Sequence, residues 1–470
     1  MPSSNTTFLW SPQPPPISTG AVKASFDQAL NLHRAGKLGD AERIYRSILA
    51  VDPRHADSLH LLGVIAAQTS HLEVAVEMIG RAISIRDNVA AYYSNYASVL
   101  HLLDRPDAAI AAYRQSLVLA PSAPDALSGL GLTLQLQGSY GEALECYAHA
   151  LTSSPKHSDV RLNLATLQLL QGDFENGLRN YEWRWGSTTI RAARRDFAQP
   201  VWRGEQLRGA RILLHAEQGF GDSLQFLRYL PQVRAAGGRV VLELQEPLCR
   251  LAAQLPGIEE LVPAGHRLPD FDRHCPLMSL PLACQTKLAT IPAETSYLTV
   301  PEEELRKAAS FHWPKNGLRI GLVWAGSPTH RRDRHRSMPL PLIDTILRMN
   351  GVHYFSLQVG EASRQIEASP RVAPLPLDGD FATTAAYIAQ LDLVITVDTA
   401  VAHLAGALGK PVWVMLPYVP DWRWLLDRED SPWYPTVRLF RQPSADDWIS
   451  VLTQVRARLE KLVRVGNTVG

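Results

Sequence analysis

The sequence predicts an all-helical repeat array followed by two doubly wound α/β halves. Three observations carry this prediction. Residue types recur with a period of 34 from about residue 22, a strand–glycine loop–helix–strand pattern starts at Arg211, and a strand–helix–strand unit spans Leu391–Leu416. Helices alone in one region and alternating strands and helices in another are typical of separate domains. A length of 470 residues allows two or three domains with complete cores.

Composition excludes several classes of function. The formal net charge is +1, so bulk electrostatics give no reason to expect nucleic-acid or membrane binding. The four cysteines form no CxxC pair, which argues against a zinc site and a disulfide framework. No apolar run approaches the roughly 20 residues of a membrane span, and no signal-peptide pattern opens the chain. We therefore expect a cytoplasmic protein with reduced thiols.

The repeat array follows a proline-rich tail over residues 1–20, which we expect to be disordered. Four columns of residues fall on the 34-residue period. They are Ala41, Ala75, Ala109 and Ala143; Tyr45, Ile79, Tyr113 and Tyr147; Gly63, Ala97, Gly131 and Ala165; and Pro53, Asp87, Pro121 and Pro155. Small residues let paired helices approach and large ones fill the gap, so the columns predict stacked helical hairpins.

This register resembles the tetratricopeptide repeat, with about 4.5 units over residues 21–186. Such arrays form superhelices, and the resemblance implies a concave groove that holds a protein or peptide. Candidate groove contacts are Tyr92, Asn95 and Asn163, although stacking between repeats can use the same side chains. The alternative is that the array only rigidifies or dimerises the protein.

The first α/β half follows a connector that we place at residues 187–209. We predict a strand over Arg211–Ala216, a glycine loop over Glu217–Asp222, a helix over Ser223–Ala236 and a strand over Arg239–Leu244. The loop lacks the third glycine of the dinucleotide fingerprint, so we reject NAD binding. We expect Gly219 and Gly221 to clear space for a ligand beside the helix N-terminus.

Further elements follow in order. We predict a strand over Ile258–Val262, an irregular proline-rich loop over His274–Pro281 and a hinge near 301–316. The second half then has predicted strands over Leu318–Trp324 and Val352–Leu357, a tight turn over Ala325–Pro328, and a final amphipathic helix over Asp446–Lys461.

The unit Leu391–Leu416 carries the strongest functional pattern. A buried strand ends at Val397, Asp398 and Thr399 supply a helix N-cap, and Gly409 ends the helix. Ligands of such units bind beyond the carboxyl end of the strand, where the helix N-terminus presents free N–H groups. Here that point carries Asp398, Thr399 and, one turn later, His403.

Two such halves joined by a hinge resemble the GT-B fold of nucleotide-sugar glycosyltransferases. We place the first, acceptor-side half at residues 210–305 and the second, donor-side half at 306–470. The Gly-x-Gly-Asp loop at 219–222 and the long motif from Asp398 to Pro411 resemble the bacterial heptosyltransferases, glycosyltransferase family 9. A repeat array before a GT-B core is also similar to the protein O-linked N-acetylglucosamine transferases and to the repeat-containing transferases that modify flagellins.

The resemblance implies a metal-independent, inverting transferase that uses a nucleotide sugar as a substrate and needs no cofactor or metal. The donor contacts we predict are Asp398, Thr399, Ala400, His403, Arg336, Ser337 and Arg423. Arg336 and Ser337 are chosen because their charged run follows a strand of the donor half, and the alternative for that run is a solvated surface. Several alternatives stay open. Asp398 either caps its helix or binds a sugar hydroxyl, His403 is otherwise a core histidine, and Arg423 otherwise packs between two tryptophans or meets a carboxylate on the donor sugar.

On the acceptor side, Asp222 is the candidate general base and Glu217 the second candidate. The alternative for Asp222 is a helix cap. The loop residues Gln218, Gly219 and Gly221 and the nearby His274 complete this side, with His215 and His274 as weaker base candidates.

These patterns predict a glycosyltransferase whose repeat array presents a protein acceptor. One rival is a heptosyltransferase-like enzyme that acts on lipopolysaccharide or another glycan. The other is a non-catalytic repeat scaffold with a decayed transferase core. The sequence leaves the sugar, the nucleotide and the oligomeric state open.

Overall fold

A computed structural model describes residues 18–187, 194–330 and 332–467. The chain divides into two compact units, residues 1–163 and 164–470. The predicted tail therefore lies outside the described residues up to position 17, as does part of the predicted connector. The described residues of the first unit form helices and turns without strands, and the second unit contains two parallel sheets. The α-helical array and the α/β region predicted from the sequence are both present.

The first unit consists of antiparallel helix pairs. Its helices are α1 Val22–Arg34, α2 Leu38–Val51, α3 Ala56–Gln68, α4 Leu72–Ile85, α5 Ala90–Leu102, α6 Pro106–Leu119, α7 Pro124–Leu136 and α8 Tyr140–Ser153, and α9 Ser158–Leu170 continues into the second unit. The columns found in the sequence explain the packing. An added Cβ on Gly63 would lie 2.6 Å from Ile79, and one on Gly131 would lie 2.6 Å from Tyr147. The small column thus makes room for the large one.

The three candidate groove residues are used between repeats. Tyr92 donates a hydrogen bond of 2.5 Å to Asp57, and Asn95 bonds His60 at 2.8 Å. Asn163 donates to the Ser128 hydroxyl at 3.3 Å. Each side chain bonds a residue 35 positions earlier, so these contacts favour the stacking alternative over groove binding.

The second unit starts with the end of α9, helix α10 at Phe174–Tyr181 and a 3₁₀ turn at Glu182–Gly186. A four-stranded parallel sheet follows, in the order β3-β2-β1-β4. Its elements are β1 Arg211–His215, α11 Phe220–Phe226, α12 Leu230–Ala235, β2 Arg239–Leu244, α13 Glu246–Ala252, β3 Ile258–Pro263, β4 Arg273–Pro276 and α14 Leu280–Ala283. We call this sheet and its helices the first half.

Two predictions for the first half were wrong in detail. The helix expected over Ser223–Ala236 starts at Phe220 and is interrupted over 227–229, because Pro231 cannot donate a helical hydrogen bond. The proline-rich stretch at 274–281 is mostly regular. Proline is tolerated in β4 because β4 is an edge strand, and in α14 because Pro281 lies in the first turn.

The second half contains a six-stranded parallel sheet in the order β10-β9-β8-β5-β6-β7. Its elements are α15 Glu302–Ala309, β5 Leu318–Val323, α16 Asp333–Arg336, α17 Asp344–Leu347, β6 Val352–Ser356, β7 Val372–Pro374, α18 Phe381–Ala389, β8 Leu393–Val397, α19 Ala400–Ala407, β9 Val412–Leu416, β10 Val437–Arg441 and α20 Trp448–Asn467. The segment expected as a hinge at 301–316 is largely helix α15, which the ion pair between Glu304 and Arg250 joins to the first half.

The core of the second half explains why its strands read as continuous apolar runs. Helix α20 buries Val451, Val455 and Leu459 in the same cluster as Ile320 and Ile395 of the central strands. Both faces of this sheet are covered, as parallel sheets require.

Both sheets have a topological switch point, where successive strands turn from one side of the sheet to the other. It lies between β1 and β4 in the first half and between β5 and β8 in the second. The crevice beyond the carboxyl ends of these strands is where ligands of doubly wound sheets bind.

Candidate functional site

A cavity of about 1260 Å³ lies between the two halves, at the switch point of the second sheet. We call it the cleft. Most of the predicted site residues line it. They are Gln218, Gly219, Gly221, Asp222, Arg336, Asp398, Thr399, Ala400, His403 and Arg423. Sequence reasoning thus placed residues from distant parts of the chain in one cavity.

Asp222 lies near the start of α11, with both carboxylate oxygens engaged. Oδ2 accepts the backbone N–H of Gly219 at 2.8 Å, and Oδ1 accepts a hydrogen bond from Arg423 of the second half. Burial raises the pKa of the Asp222 carboxyl, against the opposing effect of the Arg423 charge. Asp222 is therefore the third residue of the helix and bonds back to the N-cap residue Gly219, instead of being the N-cap itself as weighed from the sequence, and it also lines the cleft.

Arg423 joins the two halves. Its guanidinium donates to Gln225 at 2.6 Å, to Asp421 at 2.8 Å and to Asp222. Burial opposes ionisation of Asp421, but Arg423 outweighs it and holds the pKa of Asp421 below its usual value. This arginine already bonds three acceptors of the protein, so a carboxylate or phosphate on a donor would have to displace one of them.

The N-terminus of α19 faces the same cleft. Thr399 has extended backbone dihedrals at the N-cap position, and its side chain makes no capping hydrogen bond but lies 3.1 Å from the Thr396 hydroxyl. Arg336 lies beside this turn and donates to the Asp398 carbonyl at 3.1 Å. A helix N-terminus beside an arginine is suited to an anionic group such as a phosphate.

Asp398 is not the helix cap, because Thr399 takes that position. Burial, together with the negative charge of Asp421, raises the pKa of Asp398 to about 6. Asp398 and Asp421, which both lie near Arg423 and the start of α19, therefore ionise at different pH values.

His403 is held from several sides. Its Nδ1 lies 3.0 Å from the Tyr434 hydroxyl, and its ring stacks on Trp424 with 5.4 Å between centroids. Burial lowers the pKa of His403 to about 3, so the imidazole is neutral near pH 7. An added Cβ on Gly221 would lie 2.8 Å from this ring. Gly221 thus clears space for a side chain of the other half as well as bordering the cleft.

Glu217 does not line the cleft, which corrects its choice as the second candidate base. Its carboxylate accepts two hydrogen bonds from Arg184, at 2.8 and 2.9 Å, and its side chain is 1% exposed. Burial raises the pKa of Glu217, and the Arg184 charge opposes that rise. Both oxygens are committed to a buried ion pair, so the contacts of Glu217 are structural.

Two further predicted residues do not line the cleft either. The Ser337 hydroxyl accepts the Gly326 N–H at 2.8 Å and donates to Asp333 at 2.9 Å, which stabilises a turn. His274 is on the edge strand β4 and lines a different cavity. It was expected in a loop because prolines surround it.

Sequence reasoning missed several residues that line or support the cleft. Asp421 and Arg332 line it, and the exposed Arg364 borders it after β6. Tyr434 orients His403 from 31 residues away. The Asp421-Trp-Arg-Trp stretch contained a signal for Asp421, since Asp commonly caps a turn of this kind. Spacing along the chain gave no indication that Tyr434 contacts His403. Among the described residues, no three His, Cys, Asp or Glu side chains form a metal-binding group.

Two protein families match parts of the chain. Residues 26–86, 102–156 and 128–180 match the tetratricopeptide repeat, and residues 373–415 match glycosyltransferase family 9 (heptosyltransferase). The second match includes β8, α19 and the Asp398–His403 turn. The chain thus carries tetratricopeptide repeats in its N-terminal region and a family 9 segment in its C-terminal region, a combination that supports a glycosyltransferase.

Among known proteins, the chain is similar to Protein FlbA of Caulobacter vibrioides. The two are 24% identical over 500 residues, which cover 92% of this chain and 83% of FlbA. Protein O-mannosyl-transferase TMTC1 of Mus musculus is 26% identical over 140 residues, which cover 29% of this chain and 15% of that protein.

Among solved structures, MamA is 20% identical, with a TM-score of 0.30 over 35% of this chain and 97% of MamA. Within the described part of the chain, no helix combines the length and apolar character needed to cross a membrane.

Proposed function

We propose that this chain transfers a sugar from a nucleotide-sugar donor to a protein acceptor. One observation carries the proposal: Asp222 and the N-terminus of α19 line a single cavity, although 177 residues separate Asp222 from Thr399. A glycosyl transfer needs a proton acceptor and a group that stabilises the leaving phosphate, facing each other across one site.

In the proposed reaction, an acceptor hydroxyl oxygen forms a bond to the anomeric carbon, and the bond from that carbon to the phosphate oxygen breaks. The hydroxyl proton goes to Asp222. The negative charge on the departing phosphate is stabilised by the N–H groups at the start of α19 and by Arg336. Attack from the side opposite the leaving group gives inversion, and this scheme uses no metal or cofactor.

Asp222 must release part of its bond to Arg423 before it can accept a proton. An arginine bound to a carboxylate stabilises the charged form and weakens it as a base. A bound phosphate competes for the same guanidinium, so donor binding would prepare Asp222 for the acceptor. We therefore expect the donor to bind before the acceptor.

The repeat array supports the choice of a protein acceptor, since such arrays commonly recruit proteins. We place the enzyme in the cytoplasm, because its four cysteines are free thiols, as is usual in a reducing compartment. Transfer to a glycan is a second candidate, and a second cavity at the carboxyl ends of β1 and β4 favours it.

The test is transfer of radiolabelled sugar from a panel of nucleotide sugars to co-expressed proteins, with the full-length chain. We expect label in protease-sensitive material, and a loss of about 10²-fold or more in Asp222→Ala. His403→Ala should also lower transfer. Equal transfer by both variants and the wild type would refute the site assignment, and label confined to a protease-resistant glycan fraction would favour the second candidate.

A further inference from the structure

A second cavity, of about 1030 Å³, lies within the 164–470 unit. We call it the first-half crevice. It is lined by α10, by residues 194–203, by the ends of β1 and β4, and by residues 279–287. It shares no lining residue with the cleft. Nothing in the proposed transfer reaction uses it.

The first-half crevice lies at the switch point of the first sheet. His215 ends β1 and Pro276 ends β4, and these two residues are paired in the parallel register of the two strands. Both line the crevice. Doubly wound sheets bind ligands at this position, so the topology that places the cleft in the second half also places this crevice in the first.

Two buried imidazoles line its inner end. Nε2 of His215 lies 3.4 Å from Nδ1 of His274, and the two residues are 3% and 7% exposed. Burial lowers the pKa of His215 to about 3 and also lowers the pKa of His274. One nitrogen of each neutral imidazole faces the other ring, so the two remaining nitrogens, one donor and one acceptor, are what this pair can offer a ligand.

The charged side chains of the walls are largely paired with one another or with neighbours. Arg179 bonds Glu175 at 2.8 Å, Arg194 bonds Asp196 at 3.0 Å, Glu182 bonds Arg184 at 2.6 Å, and Arg195 bonds the buried Glu243. Arg203 and Lys287 are exposed and therefore solvated. The crevice thus presents neutral polar groups rather than a strong field of one sign.

Two other ligand classes fit poorly. The helix start that lines the crevice is that of α10, where Asp173 already caps the Asn176 N–H at 3.1 Å and Glu175 adds a negative charge, so a phosphate is disfavoured. The edge of β4 is already covered: Trp202 N–H donates to the His274 carbonyl at 2.8 Å, and His274 N–H donates to Pro200 at 3.2 Å. A peptide therefore cannot add a strand there.

We propose that the first-half crevice binds a neutral saccharide. Vicinal hydroxyl groups need donors and acceptors together, which the imidazoles and the amides of Gln199 and Gln285 provide. The partly exposed rings of Trp185 and Phe197 add apolar surface for the sugar C–H groups. Resting on the proposed transferase function, the inference is that this saccharide belongs to an acceptor that already carries a glycan.

The test is saturation-transfer difference NMR on the full-length protein. The probes are the methyl glycosides of glucose, galactose, mannose and N-acetylglucosamine. We expect at least one to bind, and the double variant Gln199→Ala/His274→Phe to weaken its binding at least tenfold. His353→Phe is the matched control, because His353 lines neither cavity and its ring bonds the Asn316 carbonyl at 2.9 Å. Gln199→Ala alone guards against misfolding and should weaken binding severalfold.

Competition with saturating inorganic pyrophosphate shows whether the glycosides bind in the first-half crevice or in the cleft. The inference predicts that it leaves glycoside binding unchanged, because the two cavities share no residue. Absence of binding by all four glycosides, displacement by pyrophosphate, or full binding by the double variant would overturn it. Saturation transfer to an unglycosylated peptide library, without transfer to the glycosides, would also overturn it. Binding is measured without donor or transfer, so failure here leaves the transferase proposal standing, and failure of transfer leaves this result interpretable.

Discussion

The two halves of the α/β region have related strand orders but different chemistry at their switch points. At the switch point of the second half, Arg336, Arg423 and the start of α19 lie in one cleft with several carboxylates, among them those of Asp222, Asp398 and Asp421. In the first half, the same topological position carries two neutral imidazoles and walls of paired ions. The fold therefore determines where a crevice forms, and the side chains at the strand ends determine which ligand suits it.

The largest expected effect comes from a substitution in the cleft that leaves the first-half crevice unchanged. Asp222→Asn should lower transfer by about 10²–10⁴-fold, because an amide cannot accept the proton. Asn keeps an oxygen for the Gly219 N–H, so the helix start should survive. Pyrophosphate affinity, measured by calorimetry, should be retained or increased, since Arg423 loses a competing partner.

The comparison variant is Glu217→Gln, which removes the other candidate carboxylate. Transfer per folded molecule should stay within a few-fold of wild type, because Glu217 lies outside the cleft. A loss as large as that of Asp222→Asn would contradict the division between a catalytic Asp222 and a structural Glu217.

A second prediction concerns Arg184, whose buried guanidinium bonds Glu217, Glu182 and Ser279. Arg184→Met leaves a buried carboxylate without its partner and should cost about 3–5 kcal/mol of unfolding free energy. Arg179→Met is the control, because the Arg179–Glu175 pair is exposed and should contribute at most about 1 kcal/mol. Thermal unfolding measures both, and equal melting temperatures for the two variants would be the opposing result.

A third prediction sharpens the account of the interface between the halves. Gly221→Ala introduces a Cβ 2.8 Å from the His403 ring and should destabilise the protein by about 1–3 kcal/mol. It should also weaken nucleotide binding, because His403 and α19 must shift. Gly141→Ala, which meets no atom within 4 Å, is the control and should be neutral or stabilising by up to about 1 kcal/mol. Unchanged stability in Gly221→Ala would show that the halves are not in close contact there.

The smallest expected effect depends on pH. The folded pKa of Asp398, about 6, lies above its ordinary value of about 3.9, so the folded state holds this proton more tightly than the unfolded state. Stability should therefore fall as pH rises from about 4 to 6 and stay level above that. Asp398→Asn removes this penalty and should be more stable than wild type by about 1–3 kcal/mol at pH 7, with no difference near pH 4. Denaturant titrations of both proteins at pH 4 and pH 7 measure this difference in stability. An equal difference at the two pH values would contradict a raised pKa of Asp398.

Local patterns accounted for most of the architecture. The columns of small and large residues predicted the helix pairs because each pair contacts its neighbour at a fixed spacing. The apolar strand, Thr399 and Gly409 predicted β8, the start of α19 and its end. The same reasoning found ten of the thirteen proposed site residues in one cleft, since the carboxyl ends of parallel strands share an edge.

Pairings between distant residues could not be found in this way. Arg423 and Asp222 are 201 positions apart, and Arg184 and Glu217 are 33 apart. A lone Asp or Glu in a glycine loop looks the same whether it faces a cleft or a buried arginine. Only the folded structure distinguishes these two cases. It shows Asp222 at the cleft and Glu217 paired with the buried Arg184, although the two acids are five residues apart in sequence.

The most direct test of the central claim is calorimetric titration of the full-length protein with a panel of nucleoside diphosphates and monophosphates. The claim is that the start of α19 and Arg336 bind a departing phosphate. It predicts that at least one nucleotide binds at one site per chain and that Arg336→Ala weakens it at least tenfold, whereas Arg348→Ala, at an exposed pair with Asp344, has no effect. Absence of binding across the panel, or equal affinity in Arg336→Ala, would contradict it.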